Sequence, residues 1–473
     1  MVRTSRAVAI GALVSGLIAF FAFVSGVAVA LRWGDTLPLV ATAGSTSSAQ
    51  RGTPTEAKDE FQVFWQVWNL VDEKFYHKEP LDYRKMTYGA IQGMLQSLGD
   101  DYTFFEEPQA AERTRERMSG QVEGIGAYLE YKDNKLLIVS PIEESPAEKA
   151  GILAGDQILK VDDKELAPLI EGLAPTEASR KAAEHIRGPK GTTVKLTLFR
   201  ASTNETLELS IVRDAVPLIS VRSYLLEGNI GYIQVSEFKE TTTDELDRAL
   251  KTLLEQKPAG LILDLRNNPG GLLGSAREMV GRFLPDGVAL KEEFSDGKTT
   301  TLEIIRGDEA ASALDLPLVV LVNNGSASAS EIVAGALRDH QRATLVGEKT
   351  FGKGSVQSIE PLSDGASARI TIAHWLTPNG TEIHKKGIEP DHYVPFLQDN
   401  QYQVTFPQQR RPTDPEDVKD SQLWWALKVL TSQERPSFPV PTPTPSVDES
   451  AAPVPSTTAE PLASPDANVT PTP

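Results

Sequence analysis

The chain has 473 residues, room for two or three domains, and carries 65 acidic against 47 basic side chains, a formal net charge of −18. That balance argues against a nucleic-acid partner, which needs a clustered basic surface, and otherwise speaks to solubility rather than fold. With no cysteine present, disulfides, thiolate metal sites, a cysteine nucleophile and a lipid-modified cysteine anchor are excluded.

Residues 7–31, AVAIGALVSGLIAFFAFVSGVAVAL, are uncharged and almost wholly apolar or small. As a helix such a run reaches roughly 37 Å, enough to cross a bilayer core of ~30 Å with some tilt. Arg3 and Arg6 precede it, which keeps the N-terminus cytoplasmic and sends the body out. We read 1–33 as a signal anchor, a single transmembrane helix in the cell membrane with an extracytoplasmic body. The alternative is a signal peptide with Ala28-Val29-Ala30 as its cleavage site, which would leave a secreted protein. The apolar run is longer than the roughly 7–15 residues of an ordinary signal core, which favours the anchor. Residues 34–58, rich in Ser, Thr and Ala, are expected to form a flexible stalk.

From 59 the composition changes. Phe61, Phe64, Trp65, Trp68 and Val71 recur at helical spacing, and 83–98 reads as another helix. Such an aromatic stripe is core or interface more often than a ligand box, so 59–116 is expected to be helical and to pack on the body or on a second subunit, as in a homo-oligomer.

Over 117–213, Gly124-Ile125-Gly126-Ala127 precedes a strand and 135–140 supplies another. In SPAEKAGILAGDQILKVDDKEL, 145–166, a short helix ends at Gly151, Gly155-Asp156 makes a turn, and Ile158, Leu159 and Val161 mark a strand. A helix over 175–186 and a strand over 193–199 follow. These residues resemble a PDZ domain in the permuted form of bacterial proteases. The resemblance implies a module that adds a peptide to a sheet edge and holds its C-terminal carboxylate in backbone N–H groups. Gly124, Ile125 and Gly126 would form that carboxylate loop, with Ile125 lining the apolar pocket; taken alone, the triplet is an ordinary glycine turn.

The body over 214–400 reads as alternating strand and helix, a mixed α/β layer. NIGYIQVSEF, 229–238, has the alternating character of a strand, Thr242-x-x-Glu245 is a capping-box signal, and Leu246, Leu250, Leu253 and Leu254 mark one helix face. Strand 261–265 runs into Arg266-Asn267-Asn268-Pro269-Gly270-Gly271, and strand 318–322 into Asn323-Asn324-Gly325. Two Asn-Asn turns after apolar strands are expected at the same end of a sheet, where a ligand cleft often lies. A Ser- and Ala-rich segment then enters a helix over 328–340, and a strand at 343–346 leads to Phe351-Gly352-Lys353-Gly354. Strand, tight turn, small side chains and helix start expose a serine hydroxyl beside free backbone N–H groups.

A serine hydroxyl is inert at neutral pH until a base takes its proton. A lysine does so only when neutral, so its pKa must fall from about 10.4 towards roughly 7–8, which burial among apolar groups achieves. Lys353 sits among Phe351, glycines and Val356 with no acid over 349–359, although composition leaves Lys349 equally eligible. Spacing alone does not choose among Ser326, Ser328 and Ser330. A histidine base would be His340, His374 or His384, none of which has a histidine-triad motif around it.

At DLRNNPGG (264–271), GSASASEI (325–332) and KTFGKGSVQ (349–357) the sequence resembles the C-terminal processing peptidases, also called tail-specific proteases, over about 60–395. These are serine endopeptidases with a Ser/Lys active site, an inserted PDZ domain and a core related to the ClpP and crotonase superfamily. The resemblance implies Ser328 as nucleophile, Lys353 as general base and Gln357 as the residue orienting the lysine. The N–H of Ala329, with that of Gly270 or Gly271, would form the oxyanion hole, and Glu331 and Asp339 occupy positions with supporting or charge-relay roles. It further implies substrates with apolar C-terminal tails and neither metal nor other cofactor. A non-catalytic PDZ scaffold at the membrane is the alternative of a different class.

Residues 401–434 carry one more amphipathic helix, with Trp424 and Trp425. From 435 the chain is Pro-, Thr- and Ser-rich and is expected to be disordered, having too few large apolar residues to bury.

Overall fold

The computed structural model describes residues 57, 59–76, 78–142, 144–307, 313–406, 417–432 and 434–440. The expected membrane helix, nearly all of the stalk and the tail beyond 440 lie outside the described residues, among which no helix is long and apolar enough to cross a membrane. The chain divides into two compact units, 1–86 and 87–473.

In the first unit, α1 (Glu60–Lys74) carries the aromatic stripe. Phe64 stands 5.1 Å from Trp65 and 5.8 Å from Trp68, and Trp68 stacks on Tyr83 at 6.1 Å. No residue of α1 is fully buried. α2 (Tyr83–Gln96) spans the division between the units.

The second unit opens with β1 (Phe104–Glu106), α3 (Pro108–Ser119) and β2 (Gln121–Gly124). A separate sheet follows, built from β3 (Ala127–Lys132), β4 (Lys135–Pro141), β5 (Gln157–Val161), β6 (Lys164–Glu165), β7 (Thr193–Arg200) and β8 (Glu205–Val212). Its order is β3-β4-β5-β7-β8, with β6 on β5, so β3 is an edge. Between these strands lie α4 (Pro146–Lys149), α5 (Ala167–Ile170) and α6 (Pro175–Ile186). Ala178, Ala182 and Ile186, four apart on α6, are buried against Ile125, Leu136 and Leu196. The chain leaves through β9 (Asp214–Pro217), which pairs antiparallel with β2: Gln121 faces Pro217 and Gly124 faces Asp214. Entry and exit are thus a two-stranded stem.

The main sheet runs β10 (Val221–Leu226), β11 (Ile230–Val235), β12 (Gly260–Asp264), β15 (Leu318–Val322), β16 (Thr344–Gly347) and β19 (His392–Tyr393) in that spatial order. Only β10 is antiparallel to its neighbour. On β12, Leu261 and Leu263 face a cluster shared with α7 (Thr242–Glu255), α8 (Leu273–Val280) and α9 (Ala329–Asp339), while Ile262 faces Leu423 and Ala426 of α10 (Ser421–Thr431). Successive residues of a strand point to opposite faces, and here both faces are covered. This explains why β11, expected to alternate in exposure, has all but Gln234 of its residues buried. Each fully buried Leu or Val contributes roughly 1.5–3 kcal/mol relative to exposure.

The capping box expected at Thr242 is not formed. Thr242 is already helical, its hydroxyl accepts from Lys239 N at 2.8 Å, and Glu245 instead accepts from Ser220 N and Val221 N of the neighbouring segment. A second sheet joins β1, β18 (Ser367–Leu376), β13 (Val288–Phe294) and β14 (Thr299–Glu303), with β17 (Ser355–Pro361) beside β18.

Because β12 and β15 are parallel neighbours, their Asn-Asn turns meet. Asn267 N donates to Asn323 Oδ1 (2.9 Å) and Asn323 Nδ2 donates to Asn267 Oδ1 (3.0 Å). Beside them Arg266 makes a bidentate pair with Asp264 and reaches Asp420, which also caps α10 by accepting from Leu423 N.

Candidate active site

Ser328 is the N-cap of α9 and holds φ 54° and ψ −114°. A positive φ on a residue with a Cβ is uncommon and needs support from its surroundings. Glu331 supplies it. Its carboxylate, fully buried, accepts from Ser328 N (2.8 Å), Gly352 N (2.7 Å), Lys353 N (2.9 Å) and the Thr350 hydroxyl. One side chain therefore fixes both the serine turn and the lysine loop. Burial pushes the Glu331 carboxyl above its usual pKa, opposed by those four hydrogen bonds.

The three serines separate by what their hydroxyls do. Ser326 Oγ donates to Leu265 O (2.9 Å), Ser330 Oγ donates to Asn268 O (2.8 Å), and both residues are buried. Ser328 is half-buried and lines a cleft of about 340 Å³ together with Gly270, Gly271, Ala329, Lys353, Gln357, Arg369 and others. The two lysines separate as well. Lys349 is 53% exposed and pairs with Glu389 at 2.7 Å. Lys353 reaches the cleft and makes no ion pair among the described residues; burial, and then the nearby Arg369, lower its pKa, while Asp100 and Glu331 act against the shift. Its ammonium lies over the Tyr102 ring, 5.0 Å from the centroid, and its carbonyl accepts from Trp375 Nε1 at 3.1 Å.

Gly270 has φ 104°, and a Cβ there would stand 2.8 Å from Ala327 O and from Ser328 Cβ; at Gly271, φ 141°, it would stand 2.0 Å from Phe238 O. Only glycine lets this turn touch the serine turn. The two glycines differ in their N–H groups. Gly270 N donates to Asn268 Oδ1 at 2.9 Å, whereas Gly271 N and Ala329 N have no partner among the described residues.

Gln357 lines the cleft, but its amide donates to Ser355 Oγ at 2.7 Å, and no hydrogen bond joins it to Lys353 or joins Lys353 to Ser328 Oγ. Asp339 is not brought to the cleft. Eleven positions along α9 from Ser328, about 16 Å at the helical rise, it accepts from Asn379 N at 2.9 Å and anchors the 377–380 turn. Of the histidines, His340 bonds Val288 O (2.8 Å), His374 and His384 stack at 4.4 Å, and none lines the cleft. Sequence reasoning missed Tyr102, Thr350 and Arg369. The Thr directly before Phe351-Gly352-Lys353 was the one visible signal.

In the smaller module, Gly124, Ile125 and Gly126 lie at one end of a groove between α6 and the edge strand β3, with Arg180, Ala183, Ile186 and Arg187 also lining it. Ile125 is buried in that module's core and its carbonyl accepts from Ala147 N (2.7 Å). The N–H groups of Ile125 and Gly126 have no partner among the described residues.

Chemically the cleft is narrow in what it suits: a hydroxyl whose proton is uncommitted, a lysine biased towards neutrality and unpaired N–H groups fit acyl transfer through serine, the chemistry of a serine-type peptidase. The family model described as Peptidase family S41 matches residues 229–394, PDZ domain matches 124–211, and Activating protease CtpB N-terminal domain matches 27–109. Carboxy-terminal processing protease CtpA of Bacillus subtilis (strain 168) is 41% identical over 357 residues, 75% of this chain and 73% of that protein. The carboxyl-terminal-processing protease of Synechocystis sp. is 40% identical over 372 residues, 77% and 82% of the two chains. A solved structure titled photosystem II D1 C-terminal processing protease is 32% identical, covering 71% of this chain and 93% of its own with a TM-score of 0.40. The chain belongs to the carboxy-terminal processing proteases of peptidase family S41, serine-type peptidases that carry a PDZ domain.

Proposed function

We propose that this peptidase is an endopeptidase that captures the apolar C-terminal tails of extracytoplasmic proteins in the groove at 124–126 and cleaves them with a Ser328/Lys353 pair. One observation carries the reading: of three serines in the turn, Ser328 alone has a hydroxyl that donates to no partner among the described residues, and it shares its cleft with a desolvated lysine. Neutral Lys353 takes the Ser328 proton as Oγ bonds to the scissile carbonyl carbon. The oxyanion is held by the N–H groups of Ala329 and Gly271, donors worth ~2.7–4 kcal/mol each. When the C–N bond breaks, the lysine returns the proton to the leaving amine; water then attacks the acyl-enzyme with the lysine again as base. Lys353 must first leave the Tyr102 ring, and Gln357 the Ser355 hydroxyl, to reach those positions; unliganded sites are often looser than the reacting complex. Glu331 is a positioning residue, and Asp339 acts through the 377–380 turn.

The edge strand β3 supports tail capture by strand addition. We further place the body outside the cytoplasm, tethered by 7–31, with the helical segment after 59 as the surface for a second subunit. The core is read as one of the ClpP and crotonase superfamily. The test is turnover of an unfolded protein with an apolar C-terminus by the soluble body and by Ser328→Ala and Lys353→Ala. Each substitution should abolish turnover; equal activity in all three would exclude the pair, and inactivity of the wild type would favour a binding scaffold.

A further inference from the structure

The cleft around Ser328 is basic on an acidic protein. Arg117, Lys353 and Arg369 reach its lining against one carboxylate, Glu237, although the chain carries −18 overall. Arg117 and Glu237 pair with each other at 3.2 Å. Arg369 is different. It stands on β18 opposite Phe104 of β1 and Ile359 of β17, and its side chain is only 16% exposed.

Its nearest anion, Glu106 Oε2, lies 3.3 Å from Nε, yet off the hydrogen-bonding line, so Nε is buried without a hydrogen-bond partner. Glu106 is engaged elsewhere, accepting from Thr114 Oγ1 (2.8 Å) and Ser367 Oγ (2.9 Å). The Phe104 ring covers the guanidinium at 5.4 Å. The result is a planar cation, stacked on an aromatic ring, whose donors make no hydrogen bond among the described residues and which faces the substrate cleft. Native structures rarely leave such a group unsatisfied, and a guanidinium matches a carboxylate through two parallel N–H donors.

We propose that Arg369 is a specificity-determining residue: it takes the carboxylate of an Asp or Glu in the polypeptide laid across Ser328. The inference rests on the cleft being the site of peptide cleavage. It makes the enzyme's selectivity two-fold, an apolar tail end read by the groove at 124–126 and an acidic side chain read near the scissile bond.

The experiment uses the full chain and peptides that end in the same apolar tail, with one Glu, or Gln in its place, walked through the positions flanking the cleaved bond. At one position the Glu peptide should show about tenfold higher kcat/KM than its Gln twin, the effect of one charge-assisted hydrogen bond. Arg369→Gln should bring that ratio to about one, Arg369→Glu should turn it in favour of Lys, and Arg369→Lys should retain part of it. Both peptides of a pair meet the same Lys353, so any effect of the substitution on the base cancels in the ratio. A wild type indifferent to charge at every position overturns the proposal, as does a ratio that survives in Arg369→Gln. Equal loss on Glu and Gln peptides would make Arg369 a structural partner of Glu106 and also overturn it. A wild type that cleaves neither peptide removes the peptidase reading instead. The Kd ratio of the same pair, as C-terminal amides that the 124–126 loop does not recognise, then decides this inference by itself.

Discussion

Glu331 accepts four hydrogen bonds on two oxygens, and every donor belongs to the serine turn or the lysine loop. Glu331→Gln replaces one acceptor oxygen by an amide that faces donors, so about 3 kcal/mol of stability should be lost. Urea unfolding would measure it, and turnover should fall with it because the spacing of Ser328 and Lys353 is set here. Lys353 makes the opposite bargain between stability and activity. Its pKa is depressed, so it is charged at low pH in a place that disfavours the charge. That destabilisation is fully present below the depressed pKa and vanishes above the unfolded value of about 10.4. Lys353→Met should therefore abolish turnover while raising the Tm of the core, on the order of 2–4 °C, with the gain shrinking as pH approaches 10. In the wild type, the proposed role of neutral Lys353 as base predicts that kcat/KM rises with pH through the same depressed pKa. A flat profile, or a Lys353→Met chain that melts lower at neutral pH, would contradict this account.

At the scale of elements, the parallel neighbours β12 and β15 carry the site on their C-terminal turns, and α10 braces them from the far face. Arg266 is the tie, bonded to Asp264 on its own strand and to Asp420 at the start of α10. Asp420→Ala removes that partner and the cap on Leu423 N together, for a loss of roughly 3 kcal/mol; faster proteolysis at α10 would report it. This coupling was not legible in the sequence, where Asp420 lies far from Arg266 in an unremarkable loop. What was legible followed from local pattern: apolar runs broken by Asn-Asn and glycines, small residues before a helix, a glycine-flanked lysine. Those place Gly270, Gly271, Ser328 and Lys353 in one cleft because strand order forces neighbouring turns together. The misses are tertiary. Tyr102 reaches Lys353 because β1 pairs with β18, and Arg369 because β17 pairs with β18; no spacing rule announces the first of these, a pairing between remote segments. Thr242 failed for a related reason: its motif partner Glu245 found better donors on Ser220 and Val221.

At the scale of the molecule, function is divided between a peptide-binding module with an open sheet edge and a core whose cleft is closed by α9 and β17. α3 leads from the core into the module, and its Arg117 and Met118 line the cleft that holds Ser328. The module's stem consists of β2 and β9, with Gln121 opposite Pro217. That register has a thermodynamic consequence. To the core, residues 122–216 are a loop whose ends are already held a strand-spacing apart, and each doubling of a loop's length costs only about 0.6 kcal/mol in closure entropy. The core should therefore survive melting of the module, which then becomes a long tether in an otherwise intact fold. Calorimetry should show two transitions, and a C-terminal tail peptide should raise the module's transition by mass action while leaving the core's in place. A single transition shifted as a whole would mean that the stem transmits cooperativity, so that the two parts unfold as one.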